Sequence, residues 1–500
     1  MMLVAYLLTA GGSLATTDAV VTYDVTRQLV EHRSIALSAD LVGNEAYRAA
    51  DGQYYSPFGI LQALWNIPFY LAGRTAHALL PAYGMSLEMV TKAAVALGNG
   101  CTAALAVWLV WWVAASTVSS ARGALAAALV AGFGTSLWPY SKFGFNVPLS
   151  AVMIAAIAYY SLEGARTGRT SAVWLAGMMC GIALLTRHEF ALAALPSIML
   201  LGWFRRDALA KTILWWSLGA APGACLWSGY NLIRYGSPIE TGYLRDQTLG
   251  IGGSIMDGLW GQLASPGASV FVYSPVLVAA VVAVWVIRKH DPRLAWLVGG
   301  TSVLFALFYA QLESWAGGRS YGPRYLVPFM PVLCVPLAVW MSTCRRTIRL
   351  ACLTLSVISC VVQVPGVLVD FAKVRVAYAR ALDGGAYEDR MHEWSASPLA
   401  LNVGASVEAI PRVARHMLGV EPRPHVALVS GERARDFSQQ FAFGLDFWWV
   451  YLYYLGVFPA WAALATATAL ALAWGVFLRL AWNRATWIDR TRSGAPIHAG

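Results

Sequence analysis

Two charged residues next to long apolar runs are candidates for chemistry. Asp18 follows the first apolar run of the chain, and Arg324 precedes the run that starts at residue 326. A carboxylate in such a place can accept a proton from a reacting hydroxyl, and a guanidinium binds phosphate oxygens through two parallel hydrogen bonds. Each residue also has a simpler interpretation, because Asp18 suits the N-cap of a following helix and Arg324 suits an anchor in the lipid headgroup layer.

A second charged cluster separates two further apolar runs and consists of Arg187, His188 and Glu189. Three ionisable residues in so short a turn need a polar site, a headgroup layer or one another. We expect Glu189 to pair with Arg187 rather than to act as a second base. His188 has no second ligand at metal-binding spacing, so it is predicted to be a hydrogen-bonding residue.

The composition indicates where these residues must work. Of 500 residues, 58% are hydrophobic and only 12% are charged, and the mean hydropathy is +0.56. Soluble proteins carry about 25% charged residues, so the composition excludes a disordered protein, a disulfide-rich secreted scaffold and an ordinary cytosolic enzyme. Uninterrupted apolar runs favour helices over the alternating strands of a porin-type barrel. The seven cysteines fall in or at the ends of apolar runs and imply neither a disulfide framework nor a metal site.

The sequence predicts an all-α polytopic membrane protein with about twelve transmembrane helices. The predicted spans are residues 1–16, 90–114, 124–138, 149–162, 172–186, 190–204, 213–229, 269–287, 294–310, 326–342, 350–370 and 458–478. The loop between the first two spans, residues 17–89, is long. Val21, Val25 and Leu29 repeat there at helical spacing, and the stretch 60–71 is aromatic and apolar, so both predict helices that lie in the membrane interface.

The sidedness follows from how lysine and arginine are distributed among the loops, because short cytoplasmic loops retain these residues. Alternate loops are rich in basic residues, which places both termini in the cytoplasm and explains the high isoelectric point without nucleic-acid binding. The loop 17–89 and the segment 371–447 then lie on the periplasmic side. We divide the chain into a transmembrane module over residues 1–370, the periplasmic segment 371–447, and a last helix with a cytoplasmic tail over 448–500.

Three classes of function remain open for such a protein. A secondary transporter is expected to show repeated halves and ionisable groups near the bilayer midplane, and the sequence has neither feature. The paired glycines Gly177 with Gly181 and Gly219 with Gly223 instead predict close helix packing. An enzyme acting on a lipid-linked substrate fits the polar loops beside hydrocarbon best. The alternatives are a transporter or flippase for a lipid-linked substrate and a non-catalytic membrane assembly partner.

The order of several motifs resembles the C-type membrane glycosyltransferases (GT-C), and in particular bacterial members of that group. The group includes protein O-mannosyltransferases and the transferase that adds aminoarabinose to lipid A. The motifs that carry the resemblance are TTDAVVTYDVTRQLVEHRSIAL, DGQYYSPFGILQALWNIPFYLAG, GTSLWPYSKFGFNVPL, GIALLTRHEFALAALP, YNLIRYGSPIETGY, SPGASVFVYSPV and WAGGRSYGPRYLVPFMP. Each motif alone is a weak indication of the family. The resemblance depends on the order in which the motifs occur over residues 16–331.

The resemblance implies transfer of a sugar from a polyprenyl-phosphate donor to a periplasmic glycolipid, polysaccharide or protein, with inversion at the anomeric carbon. It places the catalytic base at Asp18 and the contacts to the donor phosphate at Arg187 and Arg324. No cofactor or metal is expected. The other residues that we assign to substrate binding are Asp51, Tyr54, Tyr55, Lys142, Asn146, Arg319 and Tyr325.

The chemistry of the side chains supports several of these assignments. Better-known relatives carry a second acidic residue where this chain has Asn146, and an amide is a poorer metal ligand than a carboxylate. Lys142 is a phosphate contact or an interfacial lysine. Tyr54, Tyr55 and Asp51 are expected to shape the acceptor side, although the aromatic residues alone suit interface anchors.

Overall fold

The computed structural model describes residues 1–14, 16–38, 41, 46–49, 51–79, 85–241, 250–318, 320–381, 390–424 and 444–492. Helices dominate these residues, and the strands are confined to one two-stranded hairpin, β1 (Tyr47–Arg48) and β2 (Tyr54–Tyr55). The helices of the first half are α1 (Met2–Leu8), α2 (Thr17–Glu31), α3 (Leu61–Leu79), α4 (Leu87–Ala115), α5 (Ala121–Phe133), α6 (Leu137–Tyr140), α7 (Val147–Thr167), α8 (Thr170–Leu184), α9 (Ala194–Phe204) and α10 (Leu209–Tyr235). Those of the second half are α11 (Ile255–Ala264), α12 (Val270–Tyr273), α13 (Val276–Ile287), α14 (Pro292–Ala310), α15 (Met330–Thr343), α16 (Arg346–Leu368), α17 (Phe371–Ala381), α18 (Pro398–Met417), α19 (Trp448–Tyr454) and α20 (Ala460–Arg492).

The apolar runs of the sequence form the bundle. Within the described part of the chain, five helices are long and apolar enough to cross a membrane, namely α4, α7, α14, α16 and α20. Shorter apolar helices pack among them, and each predicted span contains a helix, as expected of a polytopic all-α membrane protein. The two helices predicted within the loop 17–89 are present as α2 and α3. The face of α2 that carries Val21 and Val25 packs on Leu37 and on Ala63 of α3.

The first predicted span is helical only over α1, which is shorter than we predicted. The indole nitrogens of Trp448 and Trp449 donate to the carbonyls of Leu7 and Leu8 at 2.8 and 3.0 Å, so side chains take up carbonyls that a longer helix would have used. Gly12 then adopts a left-handed φ of +82°, and a Cβ there would lie 2.8 Å from Trp448 Cβ. Close packing against α19 therefore ends α1.

Two other predicted spans also begin differently. The run 269–287 is divided into α12 and α13 around Pro275, which lacks the amide hydrogen that a continuous helix would use. The run 326–342 starts with a 3₁₀ turn, Arg324–Leu326, and becomes α-helical only at Met330. Both breaks place irregular backbone near the candidate residues of the sequence analysis.

The paired glycines do produce close helix packing. A Cβ at Gly177 or Gly181 would collide with carbonyl groups of α10, and a Cβ at Gly219 or Gly223 would collide with the backbone of α8. The backbones of α8 and α10 therefore touch, as small residues at helix interfaces allow. This contact holds the turn after α8, which carries Arg187, beside α10, which carries Arg234.

The loops form two distinct ends of the bundle. At the end that we call the basic end, Arg166 pairs with Asp291 at 2.6 Å and Arg122 pairs with Asp489 at 3.0 Å. Arg166 also donates to the carbonyl of Ser116, so these basic loops, which were predicted to be cytoplasmic, meet at one end of the bundle. The opposite end, which we call the site end, holds Asp18.

Candidate functional site

Asp18 lies in the first turn of α2 at the site end. The N-cap of this helix is Thr16, whose hydroxyl accepts a hydrogen bond from the amide of Ala19 at 3.4 Å. Asp18 is thus not the N-cap that its simpler interpretation predicted. Its side chain is 23% exposed, so the carboxylate remains accessible at the positive end of a helix.

Arg324 meets Asp18 across the bundle. Its Nη2 donates to Oδ2 of Asp18, which makes the two side chains a charge-assisted ion pair. The guanidinium lies 4.3 Å from the ring centre of Phe145, within the range of a cation–π contact. Nε of Arg324 is buried and has no hydrogen-bond partner among the described residues. Arg324 is therefore turned toward Asp18 rather than outward as a headgroup anchor.

Arg187 stands beside this pair on the turn between α8 and α9. Its Nε lies 2.7 Å from Oε1 of Glu189, so the predicted pairing is present. The hydroxyl of Tyr309 also donates to Glu189 at 3.0 Å, and the rings of Tyr309 and Tyr325 stack with their centres 4.9 Å apart. The guanidinium of Arg187 lies 5.8 and 5.3 Å from these two ring centres. Because Tyr325 follows Arg324 in the chain, this stack brings the two arginines to one place.

His188 has a supporting position in the same turn. Its Nδ1 accepts a hydrogen bond from the indole nitrogen of Trp227 on α10 at 2.6 Å. The predicted hydrogen-bonding role is therefore what the structure shows, and the contact joins the Arg187 turn to α10.

The loop between α6 and α7 passes over the start of α2. A Cβ on Gly144 would lie 2.7 Å from Leu14 and 3.1 Å from Ala19, so this loop approaches the residue that follows Asp18. Phe145 comes next and supports Arg324. Asn146 directly precedes α7, and its side chain does not cap that helix.

Lys142, in the same loop, is enclosed by protein. Its Nζ lies 2.8 Å from Oδ2 of Asp446 and donates to the carbonyl of Val367, and the side chain has no exposed surface. Burial opposes ionisation of Asp446, but the charges of Lys142 and Lys373 outweigh it and hold the pKa of Asp446 below its usual value. Lys142 thus forms an internal ion pair in this structure, whereas its sequence context predicted a phosphate contact or an interfacial lysine.

Asp51, Tyr54 and Tyr55 form a separate group on the β1–β2 hairpin. The hydroxyl of Tyr55 donates to Asp51 at 2.8 Å, and the amide of Gln53 donates to the other carboxylate oxygen at 2.9 Å. Burial and the Asp51 carboxylate raise the pKa of Tyr55 to about 12, so its phenol stays a donor. Tyr54 packs partly buried on the small core between α2 and α3. Asp51 and Tyr55 therefore bond to each other, and within the described part of the chain none of the three side chains hydrogen-bonds to Asp18.

A fully buried arginine that the sequence analysis did not single out ties the hairpin to the bundle. Arg234, at the end of α10, donates to the carbonyls of Ser56 and Phe58 and to the amide oxygen of Asn231. A Cβ on Gly59 would collide with the carbonyls of residues 185 and 186, so the segment 56–61 lies against the turn that carries Arg187. Arg234 lies within YNLIRYG, the start of one of the motifs that carry the family resemblance, so the sequence could have identified it.

Arg375 supports Arg324 from the segment 371–447. Its side chain is 2% exposed and donates to the carbonyls of Gly318 and Ser320, close to Arg324 in the chain. Arg319, which the sequence predicted to bind substrate, lies outside the described residues. A buried arginine in a segment without a recognisable motif gives no signal in a single sequence, because its partners are backbone carbonyls elsewhere in the chain.

The site therefore combines an accessible carboxylate with two guanidiniums and a tyrosine pair inside an apolar bundle. Of the predicted residues, the structure brings together Asp18, Arg187, Arg324 and Tyr325. A carboxylate in this setting can take up a proton, and the guanidiniums can hold an anion whose charge is poorly solvated by its apolar surroundings.

Comparison with known proteins gives similarity to one family model and to solved structures. The family model for dolichyl-phosphate-mannose-protein mannosyltransferase matches residues 76–226, less than a third of the chain. The match includes Arg187 and ends before Arg324. Comparison with curated protein sequences gives no significant match.

The fold is similar to that of ArnT from Cupriavidus metallidurans. The crystal structure of ArnT bound to undecaprenyl phosphate has a TM-score of 0.53 and 14% sequence identity, covering 88% of this chain and 83% of that chain. The apo structure has a TM-score of 0.52 and 14% identity, covering 87% and 82%. The GT-C resemblance and the fold class predicted from sequence are both confirmed.

Proposed function

We propose that this multi-pass membrane protein with the GT-C fold is a glycosyltransferase that uses a polyprenyl-phosphate sugar as donor. The contact of Asp18 with Arg324 is the observation that carries the proposal. It joins a proton acceptor to an anion-binding group at the mouth of an apolar bundle, which is what a lipid-phosphate sugar requires. The match to mannosyltransferases and the undecaprenyl phosphate bound by ArnT support the same donor class.

The proposed reaction is a single displacement. The oxygen of an acceptor hydroxyl attacks the anomeric carbon, and its proton passes to the carboxylate of Asp18. The bond between the anomeric carbon and the phosphate oxygen breaks, its electron pair stays on the phosphate, and the configuration inverts. Polyprenyl phosphate is then released with one additional negative charge on its phosphate group.

Arg324 and Arg187 are the proposed contacts to the phosphate. Arg324 binds Asp18 through Nη2, and its buried Nε has no partner among the described residues, so it retains donors for a phosphate. Donors aimed at the departing oxygen stabilise the transition state more than the ground state, because charge develops there. We further propose that Tyr325 positions Arg187 by stacking, and that Asn146 contacts the sugar or acceptor.

The charge distribution of the loops supports an orientation with the site on the periplasmic side of a bacterial inner membrane and both termini in the cytoplasm. The β1–β2 hairpin with Asp51, Tyr54 and Tyr55 is the proposed acceptor side. On this side of the membrane no nucleotide sugar is supplied, so a lipid-tethered donor fits the location.

The decisive test compares envelope glycans by mass spectrometry in cells with the gene, without it, and with the Asp18→Asn variant. We expect a glycan modification that disappears with the gene and does not return with Asp18→Asn. Asp257→Asn is the matched control, because Asp257 is an exposed aspartate in the first turn of α11, where Ser254 is the N-cap. Normal transfer by Asp18→Asn at normal expression would remove Asp18 from the mechanism.

A binding experiment separates the two roles. Titration of the purified chain with undecaprenyl phosphate is expected to show weaker binding for Arg324→Ala by 10-fold or more, about 1.4 kcal/mol, and little change for Asp18→Asn. Unchanged affinity in Arg324→Ala would contradict the phosphate role. Movement of an intact lipid-linked sugar across vesicles, without cleavage of the sugar–phosphate bond, would favour the flippase alternative.

A further inference from the structure

A large apolar groove opens at the basic end, far from Asp18. It has a volume of about 630 Å³ and lies between α9, α13 and α14, with Leu333 of α15 at its back. Its walls include Trp203, Trp285 and Trp296, of which the first two are each 66% exposed. Tryptophans exposed beside hydrocarbon mark a surface that meets lipid.

The groove has the length of one membrane leaflet. Its lining residues on α14 run from Pro292 to Val303, which spans about 16 Å at the rise of an α-helix. The hydrocarbon core is about 30 Å thick, so the groove covers half of it and ends at a membrane surface. An acyl chain of a phospholipid in that leaflet has this reach.

Three arginines surround the surface end of the groove. Arg288 lines the groove and lies 3.3 Å from the ring centre of Trp285, Arg206 lies 4.1 Å from that of Trp203, and Arg293 lies 4.5 Å from that of Phe204. Trp203, Trp285 and Phe204 all line the groove, so each arginine is held at its rim.

The charge of these arginines is not balanced by protein. Among the described residues, no carboxylate lies within ion-pair distance of Arg206, Arg288 or Arg293, whereas the nearby acids Asp207 and Asp291 pair with Arg205 and Arg166. Nε of Arg293 is buried without a hydrogen-bond partner among the described residues. Three cations next to an apolar groove of leaflet length are complementary to one phosphate group on an acyl chain.

We propose that this groove is a binding site for an anionic phospholipid, with one acyl chain between α9, α13 and α14 and the phosphate group at Arg206, Arg288 and Arg293. The site is independent of the proposed transferase chemistry. The α9 helix and the 3₁₀ turn before it, which begins at His188, separate the two sites by about 28 Å at the rises of these helix types.

The test is native mass spectrometry of the purified full chain, titrated with phosphatidylglycerol or with phosphatidylcholine of the same acyl chains. We expect the wild type to bind phosphatidylglycerol at least fivefold more tightly, and the triple variant Arg206→Gln, Arg288→Gln, Arg293→Gln to lose this preference. The matched control is Arg345→Gln, Arg346→Gln, Arg349→Gln, which removes the same charge at the same end outside the groove and is expected to keep the preference.

Equal binding of the two lipids by the wild type would overturn the proposal, as would an equal loss in the control variant. The single variant Ser302→Phe fills the wall while keeping every arginine, and is expected to lower phosphatidylglycerol binding at least threefold. Unchanged binding in Ser302→Phe would also overturn it. Displacement of phosphatidylglycerol by an equal concentration of undecaprenyl phosphate would assign the groove to the donor lipid instead.

Discussion

Lys142 and Asp446 form an ion pair with 2.8 Å between Nζ and Oδ2, and neither side chain reaches solvent. The hydroxyl of Tyr451 donates to the same carboxylate, and Lys373 pairs with Asp370 nearby at 3.0 Å. The pair joins the loop before α7 to the segment that leads into α19. It therefore fixes the loop whose next residues, Gly144 and Phe145, approach the candidate site.

Removal of one partner of this pair is expected to destabilise the protein strongly. Lys142→Met removes the positive charge that neutralises the buried Asp446 carboxylate. Breaking a buried ion pair in this way lowers the free energy of unfolding by about 3–5 kcal/mol. Thermal unfolding followed by size-exclusion chromatography measures the loss. Lys92→Met is the control, because its ion pair with Glu88 is partly exposed and contributes about 1 kcal/mol or less. Similar melting of both variants would contradict a structural role for Lys142.

Arg234→Ala is expected to loosen the segment 56–61. The variant removes three hydrogen bonds from a guanidinium, each with a net contribution of about 1.5–3 kcal/mol. Limited proteolysis of the purified protein is the readout, with faster cleavage between β2 and α3 as the expected result. Arg74→Ala, at a half-exposed arginine of α3 whose contact with Glu31 is 3.7 Å, is expected to behave like wild type.

Gly59→Ala is expected to lower the melting temperature and undecaprenyl phosphate affinity together. The new methyl group would collide with the carbonyls of residues 185 and 186, which forces the segment away from the turn that carries Arg187. Gly229→Ala provides the control, because a Cβ there meets nothing within 4 Å and alanine favours the helix by about 0.5–1 kcal/mol. A wild-type melting temperature in Gly59→Ala would show that this contact is not tight.

Phe145→Leu is expected to weaken undecaprenyl phosphate binding by about 2- to 30-fold, which corresponds to the loss of a cation–π contact of about 0.5–2 kcal/mol beneath Arg324. Phe145→Tyr keeps an aromatic face and should restore most of the affinity. The comparison variant is Phe143→Leu, since Phe143 is equally buried but packs on Phe371 rather than on Arg324. Equal affinities for Phe145→Leu and Phe143→Leu would assign Phe145 to packing alone.

The amino-acid sequence by itself determined the class of fold. The length of each apolar run is set by the thickness of the membrane, and backbone groups in lipid must bond within a helix, so the spans can be read locally. The spacing of Val21 and Val25 similarly predicted α2. The glycine pairs predicted close helix packing, and the structure shows that the packing is between α8 and α10. Glu189 was assigned to Arg187 correctly because the two residues share one turn.

Only the tertiary structure decided which distant residues meet. Asp18 is in the first turn of α2 and Arg324 is in a 3₁₀ turn about 300 residues later, and no local pattern relates them, so their contact depends on how the whole bundle packs. The same holds for Lys142 with Asp446 and for Arg234 with the carbonyls of Ser56 and Phe58. Such pairs depend on the three-dimensional packing of helices far apart in the chain, whereas hydrophobic periodicity acts over a few turns.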